Sequence, residues 1–294
     1  MAKSGRENFP VASRFLPART RHHLLAIYGF ARLVDDLGDE APSDRLAWLD
    51  ALDRELDLVY AGTPEHPLMR SLVATVRRFD LPDAPFRKLI EANRLDQRVT
   101  SYATFEDLLA YCDLSANPVG HLVLYVFEAA TPRRMKLSDA VCSGLQLTEH
   151  WQDVREDLER GRVYLPQEDL ATFGCSRAEL GERRPSDAFR RLMAFEVDRA
   201  RALLDEGAPL AADLPRRAGV AVAAFVAGGR SALDAIRRAG YDVLGRTPRP
   251  SKAARAWELA RTVVEIRTRP GRPRSGRSRR DGQADARGSD VGAA

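Results

Sequence analysis

Cysteine is scarce in this chain: only Cys112, Cys142 and Cys175 occur in 294 residues. An odd, widely spaced set excludes both a disulfide framework and a zinc-ligand pattern, and the thiols are expected to be reduced in a cytoplasmic protein. The N-terminus, MAKSGRENFP, lacks the apolar core of a secretory signal. No long hydrophobic run is present either. The most apolar stretch, Ala218–Gly229, falls short of the roughly 20 residues that span a bilayer and reads as a buried core helix. Period-two alternation and hairpin dipeptides such as Asn-Gly are missing, which argues against sheets. There is no internal repeat, and no Gly-rich dinucleotide fingerprint follows a strand.

What charge there is sits unevenly. The formal net charge is +4, yet seven arginines fall between Arg267 and Arg280 in RTRPGRPRSGRSRR. Without them the rest of the chain would be slightly acidic. Arg, Gly, Pro and Ser cannot bury enough apolar surface to offset ordering entropy, so residues 266–294 are expected to be a disordered tail behind one domain at 1–265. A solvated tail is the plain reading. Attraction to an anionic membrane surface or to nucleic acid is the sharper one.

The apolar period is helical nearly throughout. Leu46, Leu49, Leu52, Leu56 and Val59 form a stripe of threes and fours, with Ser43 expected as the N-cap and Gly62 as the stop. Thr104 to Asp107 resembles a capping box ahead of Leu108–Cys112. Asn117-Pro118 breaks or kinks that segment, which resumes over Val119–Ala130. Ser138 is expected to cap a long segment to about Gly161, Ser186 another to about Gly207, and Arg216–Gly240 forms the next. The expected fold is all-α: one bundle of roughly eight to ten helices around a central cavity.

Two acidic clusters stand out. In ARLVDDLGDE, Asp35 and Asp39 are four apart and share a helix face, with Asp36 beside them and Arg32 one turn earlier. In QLTEHWQDVRED, Glu149, Asp153 and Asp157 recur every fourth residue, and Gln146 extends that face. Like charges at this spacing destabilise a helix, so a counter-charge is expected. One such pair is usually a solvated face. Two, each after an apolar run, suit a hard cation, because Mg²⁺ takes a few carboxylates together with substrate phosphates. Metal ions stabilise a leaving oxyanion, and a diphosphate leaves readily once neutralised.

These residues, with ENFPVASRFLP (Glu7–Pro17), IYGFARLVDDLGDE (Ile27–Glu40), LIEANRLDQRVTSYATFEDLLAYC (Leu89–Cys112), SANPVGHLVL (Ser115–Leu124), LQLTEHWQDVREDLERGRVYLP (Leu145–Pro166) and AGYDVLG (Ala239–Gly245), resemble the squalene/phytoene synthase family. The subgroup that the chain looks most like is the bacterial hydroxysqualene synthases of hopanoid biosynthesis. The resemblance implies an isoprenoid synthase helical bundle. It implies that Asp35 and Asp39 form the first aspartate motif and Asp153 and Asp157 the second, holding Mg²⁺, or Mn²⁺ in its place, with Asp36 and Glu149 adjoining. Arg32 matches the arginine that contacts diphosphate, and Gln146 opens the second motif. Arg162 and Tyr164 match the basic and aromatic pair after it, and Tyr111 and Tyr241 match cavity tyrosines. The family usually has Asn where Glu149 stands, which puts the coordination of the second motif in question.

The implied reaction converts presqualene diphosphate and water to hydroxysqualene and diphosphate, without NADPH. Alternatives are condensation of two prenyl diphosphates to presqualene diphosphate or phytoene, and a non-catalytic assembly factor. The expected partner is a small isoprenoid diphosphate rather than nucleic acid. Other squalene-pathway enzymes and peripheral contact with the inner membrane surface extend that expectation. Read without the resemblance, Tyr111, Tyr164 and Tyr241 are core tyrosines, Arg32 an ion-pair partner of Asp35 or Asp36, His150 a polar residue on a helix face and Trp151 a core side chain.

Overall fold

The computed structural model describes residues 18–268. The Glu7–Pro17 motif and the arginine run beyond Thr268 lie outside the described residues. Those described form thirteen α-helices and one 3₁₀ turn. The only β-type pairing among them is the isolated parallel bridge between Ser101 and Val163.

Helices α1 (Ala18–Asp39), α2 (Arg45–Ala61), α3 (Pro67–Phe79) and α4 (Ala84–Leu95) make the first half. In α1, Leu24, Ile27, Phe30 and Val34 recur at helical spacing and are at most 2% exposed. They meet Leu49, Leu52, Leu56 and Val59 of α2 and Phe86 and Ile90 of α4 in one apolar cluster. Leu46, the first residue of the predicted stripe, stays half-buried. The cap of α2 is Asp44, not Ser43: its carboxylate accepts from the Ala47 N–H at 3.1 Å. Gly62 ends the helix in the left-handed region at φ 88°, where the absence of a Cβ removes the steric penalty.

Helices α5 (Phe105–Ser115) and α6 (Asn117–Val126) are separated at Ala116, as Asn117-Pro118 predicts. The capping box at Thr104 is present, completed by Asp107. Helix α7 (Pro132–Gln152) begins six residues before the expected start. Thr131 caps it and Pro132 occupies the first turn, while Ser138 is buried inside the helix. A proline with its fixed φ and missing N–H suits that first turn. Regular geometry lapses at Asp153 (φ −109°, ψ 17°), and α8 (Val154–Glu159) follows as a separate short helix.

Helix α9 (Gln167–Phe173) and the 3₁₀ turn Arg177–Gly181 lead to α10 (Asp187–Gly207), capped by Ser186 as its sequence predicts. Then come α11 (Leu210–Asp213), α12 (Arg216–Arg238) and α13 (Lys252–Thr268). Within α12 an apolar window of 18 residues has a mean hydropathy of 1.4, and 72% of it is buried among its neighbours. It is a core helix, longer than the apolar stretch visible in sequence. Arg230, 2% exposed, ties α12 outward: its guanidinium donates to Asp205 of α10 at 2.7 Å and to Glu265 of α13 at 3.0 Å.

Helices α7 and α10 share the most extensive seam among the described elements, and small residues permit it. A Cβ added at Gly207 would lie 2.7 Å from the Leu137 carbonyl oxygen and 2.8 Å from the Val141 nitrogen. Both are backbone atoms that cannot swing aside. Trp151, fully buried, crosses the same seam and donates its indole N–H to the Glu196 carbonyl at 3.0 Å. Gly207→Ala is therefore expected to destabilise the protein by about 2 kcal/mol through overpacking. Gly181→Ala, where the nearest atom is 3.9 Å away, serves as the neutral control. Urea denaturation measures both.

Candidate active site

The two halves of the fold enclose a cavity of about 660 Å³, within the range that small-molecule sites occupy. Helix α1 supplies Arg32, Asp35, Asp36 and Asp39, and α4 supplies Leu89, Asn93 and Asp96. From the opposite side come Tyr111 of α5, Gln146 and Glu149 of α7, and Arg160, Arg162 and Tyr164 from the segment after α8. The sequence-predicted residues Arg32, Asp35, Asp36, Asp39, Tyr111, Gln146, Glu149, Arg162 and Tyr164 thus line one space.

The remaining three do not. Asp153 stands at the break between α7 and α8, outside the cavity lining. Asp157 lies behind the floor in a small void with His150, Val163, Tyr164 and Leu180, its carboxylate 3.8 Å from His150 Nδ1. Because the helix is interrupted at its middle carboxylate, the expected continuous stripe presents only Glu149 to the cavity. Tyr241 follows α12 in the left-handed region at φ 60° and packs on the C-terminal core instead of lining the space.

Cations and acids alternate around the mouth. The Arg32 guanidinium pairs with Asp36 at 2.9 Å, one helical turn away. Arg162 reaches across to Asp39 at 3.2 Å and ties the segment after α8 to the end of α1. Nearby carboxylates, Asp96 first among them, hold Arg162 more firmly protonated despite its partial burial. The floor is aromatic. His150 stacks on Tyr164 at 3.6 Å between centroids, and Tyr102 and Tyr111 lie 6.0 and 5.9 Å from the same ring. The apolar lining of the cavity is small: Leu89 with the rings of Tyr111 and Tyr164.

Sequence reasoning missed Asp96 and Asn93. Asp96 Oδ2 accepts the Tyr111 hydroxyl at 2.9 Å, while Oδ1 is buried with no hydrogen-bond partner. Burial pushes the carboxyl up to about 6, against the lowering effects of Arg162 and the Tyr111 hydrogen bond. Asn93 donates to Asp35 Oδ1 at 3.4 Å, and Gln97 donates to the Gly38 carbonyl at 3.0 Å. Gly38 carries no Cβ because Asn93 Oδ1 occupies that place. Helix α4 therefore orients the first aspartate motif. The signal existed in LIEANRLDQ: Leu89, Asn93 and Asp96 share a helix face.

Three comparisons with known proteins bear on this site. The sequence model described as Squalene/phytoene synthase matches residues 2–255. The chain belongs to the squalene/phytoene synthase family. It is 35% identical over 252 residues to the 15-cis-phytoene synthase of Synechococcus elongatus, covering 81% of this chain and 82% of that protein. It is also 35% identical over 212 residues to the hydroxysqualene synthase of Rhodopseudomonas palustris, covering 71% of each. Among solved structures it resembles squalene synthase HpnC from Alicyclobacillus acidocaldarius at 47% identity and TM-score 0.78, covering 82% of this chain and 91% of that one. A ligand-bound dehydrosqualene synthase matches at 26% identity and TM-score 0.82, covering 91% and 94%. The family makes isoprenoids by joining prenyl chains head to head, on the all-α fold seen here.

Magnesium chemistry can be tested against these donors. Among the described residues no three His, Cys, Asp or Glu groups gather closely enough to hold a metal alone. Asp35, Asp39 and Glu149 nevertheless offer hard oxygens from both walls of one cavity, and Asp96 keeps an unsatisfied oxygen beside them. Such a set fits an ion that completes its shell with water and phosphate, as Mg²⁺ does, and not a preformed structural metal.

The raised Asp96 carboxyl sets a pH dependence. A group with folded pKa above its unfolded value contributes stability at low pH that is lost as pH rises through the folded pKa. In metal-free protein, Asp96→Asn is expected to unfold at higher urea than the parent at pH 8, by about 1–2 kcal/mol after solvent screening. The two should converge towards pH 4. Parallel denaturation curves in EDTA check this.

Proposed function

We propose that this protein is a hydroxysqualene synthase acting on presqualene diphosphate. The observation that carries the reading is one cavity with a charged mouth, cationic and acidic together, above a tyrosine floor. Arg32, Arg45, Arg160 and Arg162 line that mouth and suit a diphosphate, since guanidinium groups match its oxygens bidentately. Asp35 and Asp39 from one wall and Glu149 from the other would hold magnesium, which would supply the positive charge that a departing diphosphate needs.

The C–O bond breaks with its electron pair leaving on the diphosphate. The cyclopropylcarbinyl cation rearranges over Tyr111 and Tyr164, whose ring faces favour positive charge. Water then adds through its own electron pair and gives up a proton, which yields the alcohol. No reductant takes part. Burial raises the Tyr111 and Tyr164 hydroxyls above the ordinary phenol range, so both stay neutral and do not quench the cation as phenolates.

The printed name of the 47%-identical structure, squalene synthase HpnC, and that of the Rhodopseudomonas palustris relative support this reading. A second reading, condensation of two prenyl diphosphates, draws support from the phytoene synthases at similar identity and greater coverage. Purified enzyme is expected to turn presqualene diphosphate into hydroxysqualene with Mg²⁺, equally with and without NADPH. Phytoene or presqualene diphosphate made from shorter prenyl diphosphates, with no turnover of added presqualene diphosphate, would establish the second reading. Asp39→Ala is expected to lower kcat/KM by about 10²–10³-fold. Its fold should be kept, since the Asp39 side chain is 52% exposed. Normal diphosphate release by this variant would remove the metal mechanism.

A further inference from the structure

Helix α13 packs inward with a mixed face: Leu259 and Val263 meet an apolar cluster, and polar groups lie beside them. Glu258 is 4% exposed and Thr262 wholly buried, and Thr262 and Glu265 meet the buried Arg230 of α12. Its outward face is apolar. Trp257 is 73% exposed, the most exposed of the large hydrophobic residues, and Val264 is 59% exposed. With the exposed Ala253 and Ala260 they recur at steps of four, three and four, which places them on one stripe. Leu259, Val263 and the ionic network on α12 fill the inward side, so the Trp257 stripe is a second apolar stripe left exposed.

The charges around the stripe have one sign. Lys252, Arg255 and Arg261 are exposed at its edges. The helix's glutamates point inward, where Arg230 meets Glu265 and Arg261 meets Glu258. Beyond Thr268 the chain continues with six more arginines between Arg269 and Arg280. A stripe of Trp, Ala and Val flanked by cations is the composition of a helix lying in a membrane interface. There indole sits at headgroup depth and basic residues meet lipid phosphates. A second copy of this chain would bring basic rim against basic rim. A nucleic acid would satisfy the arginines but leave the apolar stripe in water.

We propose that α13 is a membrane-contact element, with the Trp257 face seated in an anionic phospholipid surface. Binding is read without substrate, so it stands or falls apart from the proposed reaction. The full chain is mixed with phosphatidylcholine vesicles with or without phosphatidylglycerol and sedimented. Wild type is expected to sediment with the anionic vesicles, and less so at high salt. Trp257→Glu should weaken that partition by about tenfold or more. Trp48→Glu, also at an exposed tryptophan (50%) but on α2, should leave it unchanged. Brominated lipids should quench the wild-type fluorescence and not that of Trp257→Phe, a change that spares the fold. The proposal is overturned by wild type that ignores anionic vesicles, by equal binding of Trp257→Glu, or by quenching that survives Trp257→Phe. It is likewise overturned if Trp257→Glu only splits a dimer.

Discussion

The structure is organised around one electrostatic problem: acids on two opposing walls of a single cavity. Asp35 and Asp39 on α1 and Glu149 on α7 lie across one space, and Asp96 sits between them with an orphaned oxygen. Unscreened carboxylates in a half-buried site repel one another and favour either protonation or a cation. The Arg32–Asp36 and Arg162–Asp39 pairs offset part of that repulsion. Everything else in the fold serves to hold these groups where they do not relax into solvent. The α7–α10 seam fixes one wall, and the close approach of α1 to α4 at Gly38 fixes the other.

That arrangement explains how the site can serve a polyanionic, greasy substrate. A diphosphate entering the mouth meets arginines that already touch carboxylates, so the charge pairs exchange partners instead of forming from nothing. Below them the ring faces of Tyr111 and Tyr164 offer negative quadrupole without any titratable charge, since burial keeps their hydroxyls neutral. Polar mouth and aromatic floor share one cavity because α5, α7 and the segment after α8 converge there.

Helix identity and the first acidic motif were legible in the sequence because both depend on local rules. Asp35 and Asp39 share a face through helical periodicity alone, and the caps at Thr104 and Ser186 follow from side-chain reach. Ser138 misled because a hydroxyl ahead of an apolar run looks like a cap, while Thr131-Pro132 six residues earlier had the better credentials. The second motif was over-read: a four-residue repeat implies one face only while the helix is continuous, and it lapses at Asp153. Spacing puts Asp96 on the face of Leu89 and Asn93, but nothing local announces that this face is buried. The character of Asp96 comes from Tyr111 and Arg162, which lie 15 and 66 positions further along the chain. Tyr241, assigned by resemblance, packs against the cluster that holds Tyr111 and Tyr164 without lining the cavity.

The lapse at Asp153 divides labour along the second acidic segment. Helix α7 is clamped in the seam with α10. The short α8 leans instead on the 3₁₀ turn Arg177–Gly181, with Leu158 against Gly181. Arg160, Arg162 and Tyr164 hang from the far end of α8. A peripheral turn remote from the acids thus acts as the fulcrum for the cavity's outer rim. Selection can retune the aim of that rim by altering the fulcrum, without disturbing the clamped wall.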